Sequence, residues 1–486
     1  MKSSRRKILS TSGDARRRLS RMRALGPDRV AVLLHSPDAE DTLLLLDGAG
    51  ARLASLPLPS PGIWALPLPV GADDGRLVLT VHGPGRPGGA WILGPEGAVE
   101  AAGTASLPGE PQFYAVVGAR LWLISALQVV CVELNGLRRP PGKTSPGSPD
   151  GPVALLQAGI AYQPSQRIAG AREGDLLVSP GPTVFNRAVS GYCAEHLCWF
   201  DLDAPEAFTT SPWGVEASGP GLVAHGVWWM PTGAGLWRAE RGQAPRRVHE
   251  MACWSVVRTA SGVLASAHGG LVLLDAAGAL RARMALSANL FSLLGAGDRV
   301  LGAGAGGAAI RVDDEAGRLE LALGCEERPG AGHTFARLDS GELAVCRHDR
   351  LLVWPPDEAP RVVELAWPAT VAGAGTHFIT HPDLQASVPP PADYNSFTGA
   401  SSEPPAVTEA RFAAFYARAT IAVVDGAGSV VHEVPAYPKD ETPPSRLGRT
   451  FYAGDSTGDA AVRTGCGVLY APASRPGELW LWRWKG

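Results

Sequence analysis

His377 and His381 lie four residues apart, with Asp383 two positions further on. On a helix that spacing sets two imidazoles on one face, the arrangement a zinc site uses. Pro382 argues against a helix, and no Glu follows the first His as H-E-x-x-H requires. These three residues are the metal candidates of the chain, and no metal is expected. Cys193, His196 and Cys198 in GYCAEHLCWF form a second nitrogen and sulfur group. No further Cys pair completes four ligands, so the segment reads as a strand entering at LCWF. No Gly-x-x-x-x-Gly-Lys-Ser/Thr loop occurs. GAGAGG at 302–307 is followed by no helical pattern and reads as strand and turn, not as a phosphate cradle. No catalytic residue and no cofactor are expected.

Two features point instead to binding. Residues 1–24 hold nine basic side chains against one acid, a local net of +8 in a chain of net −3, which leaves −11 for the rest. Within SGDARRRLSRMRAL at 12–25, a helix capped by Ser12 would carry Leu19, Met22 and Leu25 toward one side. The partner-binding candidates in this arm are Arg16, Arg17, Arg18, Arg21 and Arg23. A cationic arm attracts acidic partners, and nucleic acid or an anionic membrane would be reached only through it. The acidic remainder argues against a phosphate-binding surface elsewhere. The other candidates are Trp228 and Trp229, adjacent residues that point to opposite faces of an extended segment. One of them is expected to be exposed as an interface anchor. The remaining tryptophans, among 14 in all, read as core filling.

The elements that must carry these residues are short. A unit recurs: an apolar run, a tight Asp-x-x-Gly turn, then an alternating run. It reads LLLLDGAGARLASL at 43–56, LVLLDAAGALRARMAL at 271–286, IRVDDEAGRLELAL at 310–323 and IAVVDGAGSVVHEV at 421–434. Asp accepts backbone hydrogen bonds locally and Gly reaches positive φ, so the pair closes a hairpin. The turn aspartates are Asp47, Asp275, Asp314 and Asp425. Before the turn the run is apolar throughout, as in a strand covered on both faces. After it, Leu280, Ala282 and Met284 alternate with Arg281 and Arg283, as in a half-solvated edge. Upstream hairpins such as SVVRT and GVLAS at 255–266 complete four strands per unit, most plainly from about 253 to 366.

These units resemble the β-propeller superfamily of WD40-like, YVTN-like and quinoprotein-like repeats over most of residues 27–486. The paired Gly-His…Trp-Asp signature of true WD40 repeats is absent. The resemblance implies an all-β fold, a single β-propeller of four-stranded antiparallel blades. Eight blades are expected within a range of seven to ten. The ring would be closed by pairing LWLWRW at the C-terminus with strands near 28–47. Residues 1–26 would form a basic arm, partly helical or disordered. Long loop insertions would fall near 138–182 and 368–410. The divergent repeats are also similar to the propeller components of bacterial systems that pair a MoxR-type AAA+ ATPase with a von Willebrand A protein, which implies such a partner.

Seven cysteines in no paired framework fit reduced thiols, no 7–15-residue apolar stretch follows the basic N-terminus, and no apolar run is long enough to span a membrane. The expected location is cytoplasmic. Basic residues are almost all Arg, with Lys only at 2, 7, 143, 439 and 485, which reads as a compositional bias. The expected function is a non-catalytic protein–protein interaction scaffold. The alternative is a propeller hydrolase or lyase with acids and a histidine at the channel mouth.

Overall fold

A computed structural model describes residues 2–10, 18–26, 29–35, 40–58, 63–64, 68–70, 75–83, 86–105, 113–124, 128–136, 153–157, 171–173, 176–180, 196–202, 209–212, 221–325, 333–338, 340–374, 376–382, 410, 413–415, 417–435, 461–464, 467–470 and 478–485. Among them the strands form ten antiparallel sheets, nine four-stranded and one five-stranded. The fold class is all-β, with the blade topology of a β-propeller. No described helix is long and apolar enough to cross a membrane.

In chain order the first sheet holds Arg18–Gly26, Arg29–His35, Asp41–Asp47 and Arg52–Leu58. The second runs from Ile63 to Ala105, the third from Phe113 to Gln157 and the fourth from Ala171 to Pro212. The fifth holds Leu222–Ala224, Val227–Thr232, Gly235–Glu240 and Arg246–His249. The sixth holds Cys253–Arg258, Gly262–Ala267, Gly270–Asp275 and Leu280–Ala285. The seventh, eighth and ninth run from Leu290 to Cys325, His333 to Glu364 and Ala369 to Pro435. The tenth joins Ala461–Thr464, Gly467–Tyr470 and Glu478–Lys485 to the N-terminal strand Lys2–Ser10.

The chain separates into two compact units. One comprises 1–55, 301–310 and 321–486; the other comprises 56–300 and 311–320. Within the first, buried side chains of the first and tenth sheets form one cluster, and those of the eighth and ninth another. Within the second, the second sheet packs on the third, the fourth on the fifth, and the fifth on the sixth. Stacking on both faces explains the apolar third strands: Gly270–Asp275 is buried along nearly its whole length. The fourth strand, Leu280–Ala285, alternates between exposed and half-buried after its first two residues.

The turns follow the expected chemistry at three sites. Asp47, Asp275 and Asp425 each accept a backbone N–H four residues on through Oδ1, at 2.7, 2.8 and 2.7 Å. Gly50, Gly278 and Gly428 take φ of 79°, 86° and 83°. The fourth site differs. There Asp313, not Asp314, holds the turn, accepting from Ala316 N at 2.9 Å. Asp314 instead reaches the neighbouring sheet, accepting from Thr259 Oγ1, Ser261 N and Ser261 Oγ at 3.1, 3.0 and 2.9 Å.

Three further expectations change. Residues 18–26 are a strand paired with Arg29–His35, not a helix. Met22 is buried in the cluster with Val30, Val32 and Leu34. A short isolated helix is marginal in water, and ladder bonds plus burial outweigh it. The C-terminal strand pairs with Lys2–Ser10 rather than with 28–47. The strands near 28–47 are already paired with each other. The two expected loop insertions contain strands, Val153–Gln157, Ala171–Glu173 and Leu176–Pro180 in one, and Ala369–Ala374 and His377–Pro382 in the other.

Candidate binding face

A partly exposed aromatic group, with Phe291 and His268 exposed and Trp254 half-buried, stands where the sixth and seventh sheets begin. Trp254 lies on the first strand of the sixth sheet, His268 in the turn after its second strand, and Phe291 on the first strand of the seventh. The Trp254 and Phe291 rings meet edge to face, centroids 5.3 Å apart and planes at 87°. His268 flanks Trp254 at 6.2 Å and 59°. Phe291 keeps 45% of its surface exposed, and Met251, three residues before Trp254, keeps 41%.

Buried groups hold these rings in place. The ladder pairs Cys253 with Ala267 and Ser255 with Ser266, so Trp254 is the extra residue of a β-bulge. A bulge re-aims the side chain it carries. Ser266, fully buried, accepts from Ser255 N at 2.9 Å. Ser255 Oγ, also buried, accepts from Leu293 N at 3.2 Å and ties the two sheets together beside Phe291. Asn289 Oδ1 accepts from Gly269 N at 3.0 Å, which joins the approach to Phe291 to the turn carrying His268. Next to Trp254 in the chain, burial pushes the Cys253 thiol up to about 12. It stays protonated and donates to the Met251 carbonyl at 3.3 Å.

A second aromatic pair belongs to the other unit. His333 and Phe335 meet edge to face at 5.6 Å. Burial, then the Arg347 guanidinium, holds His333 below the usual imidazole range. Arg347 is itself buried and donates from Nε to the Gly304 carbonyl at 3.1 Å. This pair is half-buried throughout and offers less surface.

The residues singled out from the sequence fall elsewhere. Trp228 and Trp229 are both fully buried, which corrects the expectation of one exposed anchor. They do point to opposite faces, but Trp229 packs toward the sixth sheet and Trp228 toward the fourth. His377 lies on a strand opposite Asp425, and His381 on the same strand opposite Thr370. Four residues of strand separate their Cα atoms by about 13 Å, too far for one ion's ligand shell. Burial lowers the pKa of His377 against the opposing pull of Asp425. Asp383, Cys193, Arg16 and Arg17 lie outside the described residues. Arg18, Arg21 and Arg23 lie on the strand Arg18–Gly26. Among the described residues no group of three or more His, Cys, Asp or Glu could hold a metal ion. GDSTG at 454–458 has the Gly-x-Ser-x-Gly spacing and lies outside the described residues.

Trp254 and Phe291 escaped the sequence reading. Their one signal was a large aromatic residue near the start of two successive first strands, CWSVV and LFSLL.

No known protein family and no curated protein matches the chain. Among solved structures it is similar to the computationally designed Ika8 protein, at 9% identity and a TM-score of 0.39, covering 98% of this chain and 99% of that one. It is also similar to AztD from Citrobacter koseri, at 12% identity and a TM-score of 0.36, covering 76% and 94%. BamB from Moraxella catarrhalis matches at 12% identity and a TM-score of 0.35, covering 57% and 78%. At scores this low the reading of the sheets as blades rests on their own topology.

Proposed function

We propose that this chain is a non-catalytic scaffold that binds other proteins, and that Trp254, His268, Phe291 and Met251 form a contact face. The observation that carries this is a partly exposed aromatic corner, Phe291 and His268 open and Trp254 half-buried, built on a bulge and pinned by buried, hydrogen-bonded serines. Side chains held in this way lose little freedom on binding, and aromatic anchors dominate interface energies. A MoxR-type AAA+ ATPase or von Willebrand A protein in a bacterial cytoplasm is the partner class this reading carries forward from the sequence.

The test is affinity purification on the full chain, followed by reconstitution with each purified partner. Trp254→Ala with Phe291→Ala is expected to weaken binding by at least about thirtyfold, the effect of losing one strong anchor. A partner bound equally by both forms would remove the face from the proposal. Failure of every reconstituted pair to associate would remove the scaffold reading.

A further inference from the structure

We infer that the Trp254–Phe291 corner recognises a methylated ammonium group; this rests on the binding reading above and names its ligand chemistry. An aromatic ring presents negative potential on its faces and positive potential at its edge. In an edge-to-face pair one ring turns its edge toward the other. Its own faces then stand as walls beside the partner ring. Here the planes are at 87°, so a group seated in the corner meets a ring face and the adjoining ring at right angles to it. His268, tilted 59° to Trp254 on a separate turn, adds a third planar surface.

Such walls attract a cation held within about 6 Å of a ring centroid. The type of cation follows from what the walls lack in directionality. A primary ammonium brings three N–H donors that require acceptors, and ring faces accept weakly. A methylated ammonium spreads its charge over C–H groups and fills the corner by contact alone. Met251, exposed three residues before Trp254 in the chain, carries a polarisable side chain suited to methyl groups. Two further observations show that the corner is built. The bulge at Trp254 turns that residue out of the ladder. Ser255 fixes the next sheet at Leu293, two residues from Phe291. A chance meeting of surface rings needs neither.

The experiment is a ligand-observed NMR titration of the full chain. Four probes are used: choline, the alcohol in which carbon replaces choline's nitrogen, a trimethyl-lysine peptide and its unmodified form. Saturable binding of choline or of the modified peptide, about tenfold tighter than its uncharged or unmodified counterpart, is expected. Choline alone would mark a free amine as the source, and the peptide alone a side chain of a partner. Phe291→Leu keeps apolar bulk but removes the ring, and should abolish the preference, whereas Leu280→Ala should not. Circular dichroism melting confirms that both variants fold. Equal binding of cation and neutral isostere would overturn the inference in favour of a plain apolar corner. So would a preference that survives Phe291→Leu, or no binding by any probe. Partner capture that needs Trp254 while no methylated ammonium binds would leave the scaffold reading standing and this inference refuted.

Discussion

Replacing Gly278 by Ala should destabilise the protein more than the same change at Gly269, and the difference measures how one sheet grips the next. Both glycines have nearly the same backbone, φ of 86° and 78°. A Cβ at either meets the left-handed penalty, about 1–2 kcal/mol. At Gly269 nothing lies within 4 Å of the added atom. At Gly278 it would stand 2.7 Å from Val248 Cγ1 and 2.9 Å from Arg238 Cδ, both on the fifth sheet. Forcing a methyl into such packing costs roughly a further 1–3 kcal/mol. Gly278→Ala is therefore expected to lose about 2–5 kcal/mol and Gly269→Ala about 1–2 kcal/mol. Urea unfolding monitored by far-ultraviolet circular dichroism reads both. Adding Val248→Ala to Gly278→Ala removes the nearest atom and should recover part of the loss, as a double-mutant cycle would show. Equal losses at the two glycines would refute the claim that the Asp-x-x-Gly turn is a contact between sheets and would leave it a turn alone.

Acid should weaken the fold through three histidines that are buried or half-buried. Burial, chiefly, holds His249, His333 and His377 below the usual imidazole range. A group whose folded pKa is depressed favours the neutral form, so its contribution is full above about pH 6.5 and is lost as pH falls below that. The thermal midpoint should drop over this interval, and His249→Phe should flatten the drop; an unchanged slope would count against it. Asp314→Ala should cost about 1–3 kcal/mol, because it leaves Thr259 and Ser261 without their acceptor, and more than Asp313→Ala, whose turn is exposed. Equal urea midpoints for the two variants would contradict this. Deleting residues 1–10 should uncover Leu479 and Leu481, now buried beside Ile8 and Leu9, and lower the midpoint sharply. A truncated chain melting like the full one would refute that role for the N-terminal strand.

The parts of this fold that were legible in the sequence are those decided within about ten residues. Asp47 and Gly50 make their turn from their own side chain and backbone, and the apolar run before it declares a strand covered on both sides. The N-terminal strand was not legible, because its partner lies at the other end of the chain, Lys2 opposite Lys485. Lys2, Arg5, Arg6 and Lys7, read as part of a basic arm, lie on the outer strand of a sheet, where charge blunts an open edge. Asp313 and Asp314 stand side by side, and composition does not choose between them. The choice was made by Thr259 and Ser261, more than fifty residues away.

Arginine shows the same division between local and distant causes. Its abundance read as a bias of composition, yet arginines repeatedly close the same junction. Arg6 donates to the Ala49 carbonyl, Arg238 to Ala276, Arg246 to Ala277, and Arg281 to Asp314 and Glu315. Each acceptor is a carbonyl of an Asp-x-x-Gly or equivalent turn, and each donor comes from the neighbouring sheet. A guanidinium has five donors in a planar fork, so it can span such a turn where an ammonium cannot. The turn glycine lets the neighbouring side chain approach, and the arginine then satisfies carbonyls that the hairpin leaves over. With the turns committed to holding sheets together, the surface left for recognition is the opposite ends of the strands. There Phe291 stands exposed against a half-buried Trp254, placed by a bulge and by serines rather than by any repeated motif.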